Sequence, residues 1–212
     1  MSSRELILDT VRKALGRAAG LLPTTLAAPW LRVPLSDRTR YTSLFGQNFE
    51  KLGGKSFFAP ESGAVVPLLT DLLQGKRAVA SNAPFLTTCG ITALPQVESG
   101  FTDREALRAA CATADVGITS ADYVLAETGT LVMLASPAEA RLISLLPPMH
   151  VAVFPRSRIL ANLDELLAIL PNPAEQTSSM VLITGPSRTA DIEQILVRGV
   201  HGPGEIYTVI VG

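Results

Sequence analysis

Apolar and polar positions along this chain follow two rhythms, one helical and one extended, and the change from one to the other falls at turn residues. Leu6, Ile7, Val11, Ala14 and Leu15 recur at helical intervals, which predicts an amphipathic first helix. From Gly20 to Asp37 the rhythm is lost. Pro23, Pro29 and Pro34 punctuate scattered Leu, Trp30 and Val33, as expected of an extended arm laid over a surface. Residues 1–37 therefore read as an N-terminal helix and arm, and residues 38–212 as a single α/β domain. Within that domain Tyr41 to Leu52 predicts a helix stopped by Gly53-Gly54, followed by a strand near Lys55 to Ala59, a helix from Ser62 to Gln74 and a strand from Arg77 to Ser81. A helix over Asp103 to Ala114, capped by Thr102 or Asp103, comes next. Two apolar runs, Ala121 to Ala126 and Thr130 to Ala135, flank Glu127-Thr128-Gly129 and predict two strands joined or bent at a tight turn. The remaining expectations are a helix over Pro137 to Leu145, a strand at His150 to Phe154, a helix at Leu160 to Leu170, a buried strand at Met180 to Ile183, a helix opened by Asp191 and a last strand at Ile206 to Val211. Strand and helix alternate throughout, which argues for a mainly parallel sheet with helices on both faces.

Composition narrows what such a domain can do. With 212 residues and 47% hydrophobic content there is ample material for a core. The 18 basic residues nearly balance the 19 acidic ones, and no Lys/Arg run exceeds a pair, so no basic stripe for nucleic acid is present. A small molecule or a protein is the expected partner. Cys89 and Cys111 stand apart with no CxxC or Cys/His cluster, so local spacing supports neither a zinc site nor an iron–sulfur cluster. The opening stretch mixes Glu5 and Asp9 with its basic residues, unlike a secretory signal. No run reaches the roughly 18 to 20 apolar residues of a membrane span, and a cytoplasmic setting is expected.

The richest candidate site is ITGPSRTADIEQILVRGVHGPG, from Ile183 to Gly204. A strand ending at Ile183 would place Gly185, Ser187, Arg188 and Thr189 at its carboxyl end, where open α/β sheets bind ligands. Asp191 is suited to cap a helix carrying Ile192, Ile195 and Leu196, and a guanidinium beside first-turn amides is suited to capture carboxylate or phosphate. The same residues equally suit an ordinary strand-to-helix junction, and Arg188 can instead pair with Asp191 or Glu193. Glu127, a lone charge in an apolar stretch, would act as base or nucleophile if buried, or would be a solvated turn residue if not. His201, in a glycine-lined loop with Gly202, is the stronger of the two histidines as a catalytic candidate; His150 follows Pro147-Pro148-Met149. Arg141 reads either as a second anion anchor or as a helix-surface partner of Glu139 or Asp164. No GxxxxGK[ST] loop, GxGxxG turn, GxSxG elbow or HExxH helix occurs, which removes weight from nucleotide hydrolysis, dinucleotide binding, serine hydrolysis and zinc proteolysis.

Three ordered segments, SADYVLAETGTLVML, RLISLLPPMHVAVFPRSRIL and ITGPSRTADIEQILVRGVHGP, resemble the LUD domain family over roughly Ala114 to Val211. The resemblance implies a NagB/RpiA/CoA-transferase-like α/β fold. It also implies an accessory subunit in a cytoplasmic system that oxidises L-lactate to pyruvate with iron–sulfur partner subunits, no cofactor being held by this chain and no metal expected. The positions it carries over are Glu127, Thr128, Gly129 and Thr130, Arg141, the Pro147 to His150 junction, Gly185 to Asp191, and His201 to Pro203, read together as a pocket for a small carboxylate or phosphate. The alternative is a free-standing enzyme resembling sugar-phosphate isomerases or CoA-transferases and using Glu127 and Arg188.

Overall fold

The computed structural model describes residues 2–16, 31, 38–190 and 196–212. The chain divides into two compact units, Met1–Trp30 and Leu31–Gly212. In the first, helix α1 (Ser3–Ala14) opens with a reciprocal cap, the Ser2 hydroxyl accepting from the Glu5 amide at 3.2 Å and the Glu5 carboxylate from the Ser2 nitrogen at 2.6 Å. Its apolar stripe is present as expected, but Leu6, Ile7, Val11 and Leu15 are exposed.

The second unit begins with α2 (Arg38–Lys51) and β1 (Lys55–Ala59), then α3 (Val65–Leu72), β2 (Ala78–Ala80), α4 (Pro84–Thr88), β3 (Val97–Glu98), α5 (Arg104–Thr113) and β4 (Val116–Thr119). Two short strands, β5 (Tyr123–Leu125) and β6 (Thr130–Leu134), precede the long β7 (Met149–Pro155), β8 (Ile159–Leu160), α6 (Leu163–Ile169) and α7 (Pro173–Gln176). The chain closes with β9 (Met180–Ile183), β10 (Arg188–Ala190), β11 (Leu196–Arg198) and β12 (Glu205–Val211). Six strands form a wholly parallel sheet in the order β1-β12-β7-β4-β2-β3. Its centre is the seven-residue pairing of β12 with β7, from Glu205 opposite Met149 to Val211 opposite Pro155.

Alternation along these strands sorts the core into two faces. Val151, Val153, Val209 and Val211 pack with Val65, Leu69 and Leu86 of α3 and α4. Ala152, Phe154, Ile206 and Ile210 face the other way, against Phe45 and Phe49 of α2. Phe45 stacks on Phe49 with centroids 5.3 Å apart and meets Phe154 edge-on at 5.8 Å, both within the favoured range for aromatic pairs. On this second face α5 adds Cys111 beside Val79 of β2, so helices lie on both faces of the sheet as the alternation predicts.

A second sheet, β8-β5-β6-β9, shares the covering of the α2 face and contributes Val124, Leu131 and Met133. Several expectations are corrected here. Met180–Ile183 is a strand, but it pairs antiparallel with β6 at the edge of this smaller sheet and is only half-buried. The helix expected over Pro137 to Leu145 shrinks to a 3-10 turn at Arg141–Ser144. Residues 159–160 pair with β5, and the following helix starts at Leu163, where the Asn162 side chain accepts from the Glu165 amide at 3.0 Å. Finally, the helix expected from Asp191 is replaced on both flanks: β10 and β11 run antiparallel, Arg188 opposite Arg198, while residues 191–195 lie outside the described residues.

Candidate functional site

The motifs singled out in the sequence gather at the amino-terminal edge of the parallel sheet, around the carboxyl end of α2. The Ser187 amide donates to the Pro203 carbonyl at 2.9 Å, the Gly199 amide to the Ser187 carbonyl at 3.0 Å, and the Gly204 amide to the Pro148 carbonyl at 3.0 Å. Backbone bonds thus join the segment around Ser187, the loop carrying His201 and Gly202, and the Pro147-Pro148 junction. Arg188 is exposed and donates to the Leu52 carbonyl at the end of α2. A helix carboxyl end carries partial negative charge, so the guanidinium serves there as a terminating cation and does not sit beside helix-start amides. Gly185 packs against Leu52, and half-buried Thr189 pairs with Val197.

The Glu127-Thr128-Gly129 turn reaches the same helix end from the other side. The Asn48 amide group donates to the Ala126 carbonyl at 3.0 Å and to the Glu127 carbonyl at 2.9 Å. Gly129 adopts a left-handed φ of 62°, and a Cβ there would lie 2.6 Å from the Phe49 nitrogen, so only glycine allows this approach. Thr130 links the turn to the end of β9: its hydroxyl lies 2.7 Å from that of Thr128 and 3.0 Å from that of Thr184. The Glu127 side chain is exposed, which matches the solvated-turn alternative. His201 is exposed as well.

A 320 Å³ cavity opens beside this assembly, lined by Gly53, Lys55, Arg198, Gly204, Glu205 and Tyr207 among others. The Lys55 ammonium donates to the Tyr207 hydroxyl at 3.3 Å and lies 5.2 Å from its ring centroid, while that hydroxyl donates to Glu205 at 2.7 Å. Burial, then the bond to Glu205, raises the Tyr207 pKa. Gly53 borders Arg188, and Arg198 is the strand partner of Arg188, so the cavity adjoins the motif cluster without being lined by the residues named from sequence.

A different arrangement occupies the opposite, carboxyl-terminal edge. The sheet order reverses between β2 and β4, since the chain leaves β2 for β3 on one side and returns through β4 on the other. Such a switch point is where open α/β sheets form a crevice. Here a 130 Å³ crevice is lined by Ser120, Asp122, Glu139 and Arg158, with Ala83 and Pro84 at the start of α4. Glu139 is 6% exposed, and one of its oxygens accepts from the Ser81 hydroxyl at 2.7 Å and the Ser120 amide at 2.6 Å. Burial pushes its pKa up to about 7, opposed by those two bonds and by Arg158 and assisted by Asp122. Asp122, also raised by burial, accepts from the Leu134 amide at 2.7 Å and lies 4.0 Å from Arg158.

In the sequence Glu139 reads only as a surface partner for Arg141. The structure gives it serine partners and leaves Arg141 exposed on the neighbouring turn. The available signal was a small hydroxyl residue directly after each of two short apolar strands, Ser81 after Ala78–Ala80 and Ser120 after Val116–Thr119.

His150 is fully buried with its Nε2 2.8 Å from the Thr119 hydroxyl, and burial lowers its pKa to about 4, so it is neutral. Both cysteines are buried free thiols whose pKa burial raises. Among the described residues no group of three or more His, Cys, Asp or Glu is placed to hold a metal ion, and no helix is long and apolar enough to cross a membrane.

Comparison with known proteins agrees with the fold and the motifs. Lactate utilization protein C of Halalkalibacterium halodurans is 37% identical over 136 residues, covering 60% of this chain and 59% of that protein. The protein of the same name from an Exiguobacterium species is 34% identical over 149 residues, 68% of this chain and 65% of its own length. That of Macrococcus caseolyticus is 43% identical over 94 residues, 42% of this chain and 41% of its own. The chain thus spans less than two thirds of the length of these relatives. A crystal structure of a DUF162 family protein from Deinococcus radiodurans matches with a TM-score of 0.61 over 84% of this chain and 100% of that one, at 20% identity, which shows a common fold. The LUD domain model matches residues 43–211, taking in every strand from β1 to β12 and every motif described above, and the chain belongs to the LUD domain family.

Proposed function

We propose that this chain takes part in lactate utilization, as an accessory subunit of a cytoplasmic system that oxidises L-lactate to pyruvate beside iron–sulfur partner proteins. The observation that carries this reading is the name shared by its relatives, lactate utilization protein C, at 34% to 43% identity over 94 to 149 residues. The proposed contribution of this chain is to hold a small carboxylate while partners carry electrons. On this reading Lys55 and Arg198 at the amino-terminal edge supply cations to the larger cavity, and Arg188, which borders Gly53 and pairs with Arg198, adjoins it. Glu127 and His201 face solvent and would meet a ligand or a partner protein only at the rim.

The alternative, a free-standing isomerase-like or CoA-transferase-like enzyme using Glu127 and Arg188, draws less support, because Glu127 is solvated and Arg188 is engaged with the end of α2. Deleting the gene and purifying a tagged copy from the native cell test the proposal. Loss of growth on L-lactate with co-recovery of iron–sulfur proteins is expected. Normal growth together with recovery of no iron–sulfur partner would overturn it.

A further inference from the structure

We propose that the crevice at the carboxyl ends of β2 and β4 binds a small carboxylate with an oxygen on its second carbon, Arg158 taking the carboxylate and Ser120 and Glu139 the second oxygen. The lactate-utilization reading supplies the choice of probe, and to that extent the proposal rests on it; the ligand chemistry comes from the crevice itself.

Two polar atoms in this crevice lack partners among the described residues. Ser120 Oγ and Glu139 Oε2 are both buried and unbonded, on residues 2% and 6% exposed. A folded chain ordinarily pairs such atoms, and two of them in adjoining side chains on one crevice call for a group that satisfies both. Glu139 Oε1 is already committed, accepting from the Ser81 hydroxyl and the Ser120 amide. Any proton on Glu139 therefore resides on Oε2. A ligand hydroxyl can accept from that proton and donate to Ser120, and a ligand carbonyl can accept from both. Glu139 holds its proton close to neutrality, so this arrangement is populated at ordinary pH.

Charge sets the other end of the ligand. Arg158 Nη1 donates to the Ala121 carbonyl at 2.8 Å and lies 4.0 Å from Asp122, with its side chain 38% exposed. A guanidinium offers five N–H donors, and those not facing Ala121 suit a carboxylate arriving from solvent. With Glu139 neutral, the ligand meets one cation and the single carboxylate of Asp122, itself tied to the Leu134 amide. The volume of 130 Å³ equals about four waters at roughly 30 Å³ each, room for an acid of three or four carbons.

Calorimetric titration of the purified chain with L-lactate, pyruvate and propanoate tests the assignment. At least one of the two oxygenated acids is expected to bind about tenfold or more tightly than propanoate, which lacks the second oxygen. Arg158→Ala should weaken that binding about tenfold or more, and Ser120→Ala should erase the preference over propanoate, with circular dichroism confirming the fold of each. Equal affinity for all three acids, binding of none, or a preference that survives both Ser120→Ala and Glu139→Gln overturns the site. The two readings fail separately. Selective binding sensitive to these substitutions, in a chain whose deletion leaves growth on L-lactate normal, upholds the site and sinks the lactate role; a growth defect without binding does the reverse.

Discussion

Replacing Glu139 by glutamine separates the cost of a buried charge from the value of a buried shape. Glutamine keeps the carbonyl oxygen that accepts from Ser81 and Ser120 but cannot ionise. In the folded chain the carboxyl titrates near 7 against an ordinary value of 4.5, chiefly because burial penalises its charge. The folded state thus holds the proton more tightly than the unfolded state, and stability falls as pH rises through that window and levels off above it. At about 1.4 kcal/mol per pH unit the interval corresponds to about 3 kcal/mol. Asp122 and Arg158 face the same carboxyl and pull its pKa in opposite directions, so burial sets the sign. Urea unfolding of both proteins from about pH 4 to about pH 8, followed by circular dichroism, gives the stability difference. Other titrations, including that of His150, occur in both chains and largely cancel. The glutamine variant should gain about 3 kcal/mol on wild type between about pH 4.5 and pH 7, with plateaus on either side. A flat difference across the window would refute the burial argument.

Gly129→Ala combines a left-handed φ of 62° with a Cβ 2.6 Å from the Phe49 nitrogen, and should cost on the order of 2–4 kcal/mol in thermal or chemical unfolding. Asn48→Ala removes two bonds to the same turn, worth about 1–3 kcal/mol, and in a double-mutant cycle with Gly129→Ala the losses should be less than additive. Phe154→Ala opens a cavity against Phe45 and should cost about 3–5 kcal/mol. His150 has a folded pKa depressed to about 4 from 6.5, so its neutral form contributes stability that is present above 6.5 and lost as pH falls to about 4; His150→Gln should flatten that acid limb in the same urea series.

Elements whose pattern is local were legible in the sequence. Lys55–Ala59 ends the Gly53-Gly54 stop as a strand, and Asp103 caps α5 by accepting from the Ala106 amide at 2.7 Å. Elsewhere the tertiary environment decides. The region 137–145 has helical spacing, yet Glu139 is drawn inward by Ser81 and Ser120, 58 and 19 residues away in sequence, and only one 3-10 turn forms. Ile192, Ile195 and Leu196 also have helical spacing, but Thr189 and Val197 face each other across a strand pair, a contact that no window of a few residues reveals. β4, only Val116–Thr119, is too short to read as an element and becomes central through its pairing with β7 and β2. The same division holds for the candidate sites. The signature motifs announced their family and do converge, but on a helix end. The crevice was silent in sequence because no single segment carries it: Ser120, Glu139 and Arg158 become neighbours only when β4, the loop after β6 and the turn after β7 have folded.

The carboxyl end of α2 has a consequence for how this domain can vary. Within two turns of helix, Asn48 and Phe49 seat the turn at 127–129, while Leu52 accepts Arg188 and packs on Gly185. Segments separated by more than fifty positions in the chain are therefore moulded on one template and are not free to diverge singly. Transplanting α2 alone from a distant LUD protein should yield insoluble chains, and solubility should return when residues 127–130 and 184–188 are transplanted with it. In recombination, these three pieces form one heritable unit.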